Sequence, residues 1–450
     1  MNVNPNLPTP RIFYGWFVVA AAFAVGFVGF GSAYTFGAFA DALQHQFAAS
    51  RGAISLVFSL AGFLYFGLGV ITGPLADRWG AKRLAVIGML LIGTGLTLAG
   101  LAQSLLQVEL SYGLGVGLGI GCAYVPALGA VQRWFSRRRG FASGLAVSGI
   151  GAGTLIVPPF AALLIHDFGW RNAYFVLGVL AAIMGSGMAL LIVNDPHERK
   201  LHPDGDLPSS QHADETVPAG LSVREAVRSR TFKGLYAACM VCSFALFVPF
   251  VHLVPYALDH GIRQSAAVFL LSAIGIGSTA GRFMLGGAAD RMGRQRALLT
   301  TLMAMAITLC SWVAAHNFWQ IALFAFVYGV FYGGFVALLP ALTTDYFGRR
   351  NVGGIIGILY TSVAFGTLAG PSAVGYIFDL SHSYTLPILV GAVLDIVAAI
   401  IVLTTVKPVV PTFGSGLTAC QRIAGQGNGT SVDRNGCPRN SGWRSNSTDA

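Results

Sequence analysis

The chain repeats one feature that leaves few folds open. Stretches of about 20 apolar residues recur along it, each long enough to cross the ~30 Å hydrocarbon core of a bilayer. "YGWFVVAAAFAVGFVGFGSAYTFGAF" from Tyr14 is the first and "TLPILVGAVLDIVAAIIVLTTV" from Thr385 the last. In lipid every backbone N–H and C=O must be paired internally, so such stretches become helices rather than isolated strands. Only 10% of the 450 residues are charged, where a soluble chain carries about a quarter, so a water-soluble fold is excluded. Twelve spans are expected, at about 13–38, 54–76, 84–103, 107–131, 141–165, 173–194, 232–257, 265–288, 297–315, 318–343, 352–378 and 385–406. The first exceeds a signal h-region and no small-residue cleavage site follows it, so it is expected to stay with the chain.

The net charge of +10 raises the question of a nucleic-acid partner. The positions of the charges answer it. Arg78, Lys82 and Arg83, then Arg133, Arg137, Arg138 and Arg139, then Arg291, Arg294 and Arg296, then Arg349 and Arg350 all fall between spans on one side. The other side holds Arg51, Arg171 and Arg263. Basic loops facing one side are the positive-inside pattern, which places both termini in the cytoplasm and makes lipid the partner, not nucleic acid. Cys239 and Cys242 form a lone C-x-x-C in an apolar helix without a second pair, and read as packing residues rather than a metal site. Asn428 and Asn446 open N-x-[ST] sequons, which a cytoplasmic tail would keep from glycosylation.

The polar, proline-containing segment 195–231 divides the spans six and six. The halves then repeat each other. "GPLADRWGAKR" from Gly73 follows the second span, and "GGAADRMGRQR" from Gly286 follows the eighth. "VPALGAVQRWFSRRR" from Val125 and "LPALTTDYFGRR" from Leu339 form a second pair. Such a repeat about an axis along the membrane normal predicts two six-helix bundles, 1–194 and 232–408. Residues 195–231 become a cytoplasmic central loop. The remainder, 409–450, is rich in Gly, Ser, Asn and Arg, lacks apolar periodicity, and is expected to be a disordered cytoplasmic tail.

These loop motifs resemble the major facilitator superfamily across nearly all of 11–408. A narrower resemblance rests on "YGWFVVAAAF" from Tyr14, "RWFSRRRGFASGLAVSG" from Arg133, "DFGWRNAYFVLG" from Asp167 and "VPFVHLVPYALDHGI" from Val248. Together they are similar to the bacterial monocarboxylate transporter branch, close to oxalate:formate antiporters. The resemblance implies twelve transmembrane helices in two six-helix bundles, in a bacterial inner membrane. It also implies a conformational latch built from Gly73, Asp77, Arg78 and Gly80 and repeated at Asp290, Arg291 and Gly293. An Asp at a helix end suits the positive dipole of neighbouring N-termini, and the glycines suit a tight turn. The plainer alternative is that these loops only anchor topology.

Arg282 is the one basic residue well inside a span. Such a charge costs roughly 2.5–3.5 kcal/mol on insertion scales and cannot escape by deprotonation. It needs water, a counter-ion or an anion, and its planar fork matches a carboxylate. We read it as the anchor for a substrate carboxylate, the role the resemblance also implies; the alternative is an Arg reaching for the headgroups. Two positions depart from the family. Ser278 stands where proton-coupled members carry an Asp, and Val363 where oxalate exchangers carry a lysine in the eleventh span. A single cation favours a monocarboxylate over a dicarboxylate. Phe36 lies near the first-span lysine of animal monocarboxylate transporters.

Tyr124, Tyr332 and Ser362 are candidates to bind the substrate's carboxylate or hydroxyl, against the alternative of interhelical hydrogen bonds. His252, between Pro249 and Pro255 where the seventh helix should be irregular, is the first candidate to carry a proton. Asp395, midway along the twelfth span, is the second. "GLGVGLGIG" from Gly113 has no preceding strand and no Walker-type lysine, so it reads as close helix packing. No metal cluster, nucleophile elbow or nucleotide loop is present, so neither an enzyme nor a cofactor is expected. The expectation is a monomeric carrier of small monocarboxylates, lactate- or pyruvate-like, by proton symport. The alternatives are an organic-anion exchanger and a carboxylate sensor without flux.

Overall fold

The computed structural model describes residues 13–135, 138–205, 220–348 and 351–406; the side chains of Asp77 and Asp290 lie outside the described part, as does the tail 409–450. The described residues are helical throughout, apart from turns and one isolated bridge between Gly220 and Gly348. Among the described residues, ten stretches are long and apolar enough to cross a membrane, and the bent pair Arg51–Gly67 and Gly69–Ala76, which turns by 42°, makes an eleventh. One of the ten, Phe141–Ala189, is 49 residues long and is broken at Gly169, where φ is +79°. Counting it as the fifth and sixth spans gives twelve, six on each side of the central segment.

The first span is Gly15–Phe47, the third Ala81–Leu101 and the fourth Leu105–Trp134. The second half runs Arg230–Asp259, Gln264–Leu285, Arg294–Val313, Phe318–Phe347, Val352–Ser381 and Thr385–Thr405 as the seventh to twelfth. Local chemistry sets many of the starts. Ser50, Ser104, Ser229 and Asn317 each accept a hydrogen bond from a backbone N–H in the first turn of the helix that follows. Gly80 and Gly293 carry nearly identical backbones, φ 86° and ψ 140° against φ 89° and ψ 136°, so the repeated loop motif makes the same joint twice.

Close packing holds the helices together. A Cβ added at Gly115 would stand 2.4 Å from the Cα of Gly95, so the glycine run of the fourth span lets it touch the third backbone to backbone. Cys239 and Cys242 are buried thiols. The outer surface is apolar, with Trp319, Leu380 and Leu403 mostly exposed, as a lipid-facing belt requires. Contacts between the halves run from the second span to the eleventh, the fifth to the eighth and the first to the seventh.

Two details differ from the sequence reading. The seventh helix breaks at Phe247, φ −104° and ψ 0°, and not around His252. Pro249 falls in the first turn of the new helix, where its missing N–H has no partner to lose, and Val248–Asp259 continues as helix with Pro255 in its interior. The central segment is also less of a plain loop than expected. Arg199 lies over the Tyr14 ring at 3.5 Å, and Val223–Arg228 is a short helix opened by a Ser222–Glu225 capping box. Leu221 N–H donates to Phe347 O at 2.9 Å, docking that end on the tenth span.

Candidate functional site

Between the halves lies a narrow cavity. Phe30, Tyr34 and Tyr124 line it from the first six spans, and Phe247, Tyr332 and Tyr360 from the last six. The break at Phe247 turns that ring inward, and Phe30 packs edge-on to Tyr124 with centroids 5.0 Å apart. The Tyr34 and Tyr332 hydroxyls meet across the halves at 2.8 Å. Walls of this kind suit a small, partly apolar solute that presents a polar end to phenol donors.

Arg282 sits beside this cavity, although it is not one of the lining residues. The residue is 8% exposed, and its Nη1 donates to Val147 O at 3.3 Å. Its Nε and Nη2 are buried, and no group among the described residues accepts from them. Its charge is felt at the phenols of Tyr34, Tyr124, Tyr332 and Tyr360. Gly151 lets the eighth span come close: a Cβ there would run into Thr279 Oγ1 first and would also stand 3.3 Å from Arg282 Nη1. Leaving buried donors of a charged group unmade is expensive, so the arrangement is poised for an anion that accepts from the fork.

The other candidates are spread more widely. Tyr124 and Tyr332 face the cavity together. Ser362 is fully buried, donates to Leu359 O of its own helix at 2.6 Å, and is not among the lining residues; its neighbours Tyr360 and Val363 are. Ser278 is buried one turn before Arg282, with its hydroxyl unpaired. Phe36 packs against Phe58 and Tyr112. His252 lies outside the cavity lining, toward the end opposite the basic loops. Its Nε2 is 2.8 Å from Pro371 O and 3.3 Å from Ser55 Oγ, and its Nδ1 is 3.3 Å from the Tyr384 hydroxyl. Asp395 is wholly buried in the twelfth span, and neither oxygen has a partner among the described residues. Of the loop motif, Gly73 is half-buried in the bent second span, and Arg78 and Arg291 are exposed.

The family model described as Major Facilitator Superfamily matches residues 21–286 and 234–419. The chain belongs to the major facilitator superfamily. Monocarboxylate transporter 11 of Mus musculus is 30% identical to it over 84% of this chain and 84% of its own length. MFS transporter asaE of Aspergillus flavus is 28% identical over 90% of this chain and 91% of its own. Among solved structures, a bacterial homologue of the human lysosomal transporter Spinster, in an inward-facing and unoccupied conformation, superposes with a TM-score of 0.68. It is 15% identical and covers 88% of this chain and 98% of that one, which shows the fold. As a member of the superfamily the protein is a multi-pass membrane transporter, not an enzyme, built as twelve helices in two six-helix bundles.

Sequence reasoning missed Tyr34, Phe30 and Phe247 at the cavity of this superfamily member. Aromatics inside an apolar run read as packing; Pro249, two residues after Phe247, was the one nearby sign of a break. It also passed over Arg51, counted only as one of three basic residues on the less charged side.

Proposed function

We propose that the chain carries small monocarboxylates, lactate- and pyruvate-like, by alternating access, together with a proton. The observation that carries this reading is Arg282, a buried guanidinium with two unmade donors beside a cavity of phenols. The carboxylate docks on the guanidinium, the Tyr124 hydroxyl and the free O–H of the Tyr34–Tyr332 pair complete its hydrogen bonds, and the aromatic walls take the short carbon chain. Val363 in the lining, where a second cation would be needed, leaves a second carboxylate unmatched and so selects monoanions. The relatives named monocarboxylate transporters support the same substrate class.

His252 is the proposed proton carrier. It faces Ser55 and Arg51 of the second span, Pro371 O and Asp379 of the eleventh, and Tyr384 before the twelfth, with Asp259 further along its own helix. Asp395 is the second candidate. We take 1–194 and 232–408 as the two bundles and 195–231 as the central loop. The basic-loop face is placed in the cytoplasm of a bacterial inner membrane, and the carrier is taken as a monomer. The glycine joints at Gly80 and Gly293, with Gly73, Asp77, Arg78, Asp290 and Arg291, would latch one state of the cycle.

Ser278 favours a second reading, anion exchange, because a hydroxyl cannot take up the proton that an acid there would. Uptake of labelled lactate and pyruvate into liposomes separates the two. Accumulation driven by an inward proton gradient is the expected result. Uptake that requires preloaded acid and ignores pH would establish exchange instead, and no saturable movement of either acid would end the monocarboxylate reading.

A further inference from the structure

The end of the molecule opposite the basic loops is shut by a cluster that the central cavity does not use. Arg51, at the start of the second span, reaches across to the other half. Its Nη1 and Nη2 each donate to one oxygen of Asp259, both at 2.6 Å. Nη1 also donates to the Tyr384 hydroxyl at 2.8 Å, and the guanidinium lies 4.1 Å from the centroid of the Phe378 ring. Burial pushes the Tyr384 phenol up, so it stays protonated. The backbone N–H groups of Arg51 and Gly52 donate to the two oxygens of Asp379 at 2.9 Å each, which fixes the backbone beneath the arginine.

This is the chemistry of the central site repeated: a guanidinium, a phenol and an aromatic platform. Here the chain itself supplies the carboxylate. The arginine side chain is 15% exposed, whereas that of Asp259 is 34% exposed and stands at the rim. Apart from Asp259, the guanidinium is held by the Tyr384 hydroxyl and the Phe378 ring, and the Arg51 backbone by Asp379. Asp259 is the last residue of its helix and is followed by a turn at Gly261, where φ is +75°. The cation is therefore fixed, and its partner lies where the chain turns back.

We propose that Arg51 is an outer capture site for the substrate carboxylate. A monocarboxylate arriving from this face displaces Asp259 from the guanidinium fork, and the swap opens this end of the cavity. One carboxylate replaces another on the same two donors, so an anion can trigger the opening while a neutral or cationic solute cannot. The proposal rests on the monocarboxylate reading above.

The test compares Arg51→Gln with Asp259→Asn, using labelled lactate as the probe in zero-trans uptake from each face of sided vesicles. Both substitutions break the pair, so a cluster that only holds the end shut predicts the same change for both. A capture site predicts opposite changes. Asp259→Asn frees the fork and should lower KM from the Arg51 face several-fold. Arg51→Gln should raise that KM roughly ten-fold or more, while KM from the basic-loop face changes little in either variant. Arg51→Lys, which keeps the charge but not the fork, should show a smaller rise and serves if the Gln variant fails to insert. Parallel shifts in the two variants would overturn the proposal. A wild-type protein without saturable lactate uptake would overturn it together with the reading it rests on, and the wild-type control tells the two failures apart.

Discussion

Without the Arg282 guanidinium, the centre keeps four phenols and no nearby cation. A carboxylate then loses charge-assisted bonds of roughly 1.5–3 kcal/mol each. Arg282→Ala should therefore weaken saturable uptake by roughly a hundred-fold or more while the protein still inserts; unchanged kinetics would remove the anchor role. Arg282→Lys keeps the charge without the planar fork and should fall between. His252→Gln should flatten the dependence of uptake on external pH, and an unaltered profile would pass the proton role to Asp395. Arg282 was legible in the sequence because a permanent charge inside an apolar run has so few bland explanations. Tyr34 was not, because nothing in one chain segment reveals that its hydroxyl meets Tyr332 from a helix 298 residues away. Ser362 shows the converse: a polar residue in the right helix whose hydroxyl turns back onto its own backbone.

At the scale of elements, apolar length located the spans and said little about how each one bends. The joint at Phe247 is an example. The prolines flanking His252 pointed to an irregular helix, but a proline in the first turn begins a helix rather than breaking it, so the kink moved one turn earlier. The glycine joints were more legible, since the motif recurs and its φ values recur with it. Gly80→Ala and Gly293→Ala meet no neighbouring atom within 4 Å, so their cost is purely conformational. Each should destabilise the protein by about 1–3 kcal/mol, the cost of a backbone conformation that side chains hardly adopt, and by nearly the same amount. Thermal unfolding in detergent checks this; a large difference between the two would mean that the joints are not equivalent.

At the scale of the whole molecule, the six-and-six division was readable from paired motifs, whereas the contacts closing the two halves on each other were not. Arg51 and Asp259 lie 208 residues apart, and neither is unusual in its own segment. Another contact across the halves offers a direct handle: Ser59 and Ser372, on the second and eleventh spans, stand 2.9 Å apart at their hydroxyls. In a chain whose six native cysteines are replaced by Ala, Ser59→Cys with Ser372→Cys should form a disulfide on oxidation. Uptake should stop when it forms and return on reduction; transport by the oxidised protein would mean that these helices need not part. The unpaired guanidinium beside the cavity has a further, kinetic consequence. An empty carrier must reorient with that charge unneutralised in a low-dielectric interior, while a loaded one reorients with it balanced. The return journey should then be the slow half of each turnover, so that acid waiting on the far side speeds the carrier up, and a stalled cycle is one that has run out of passengers.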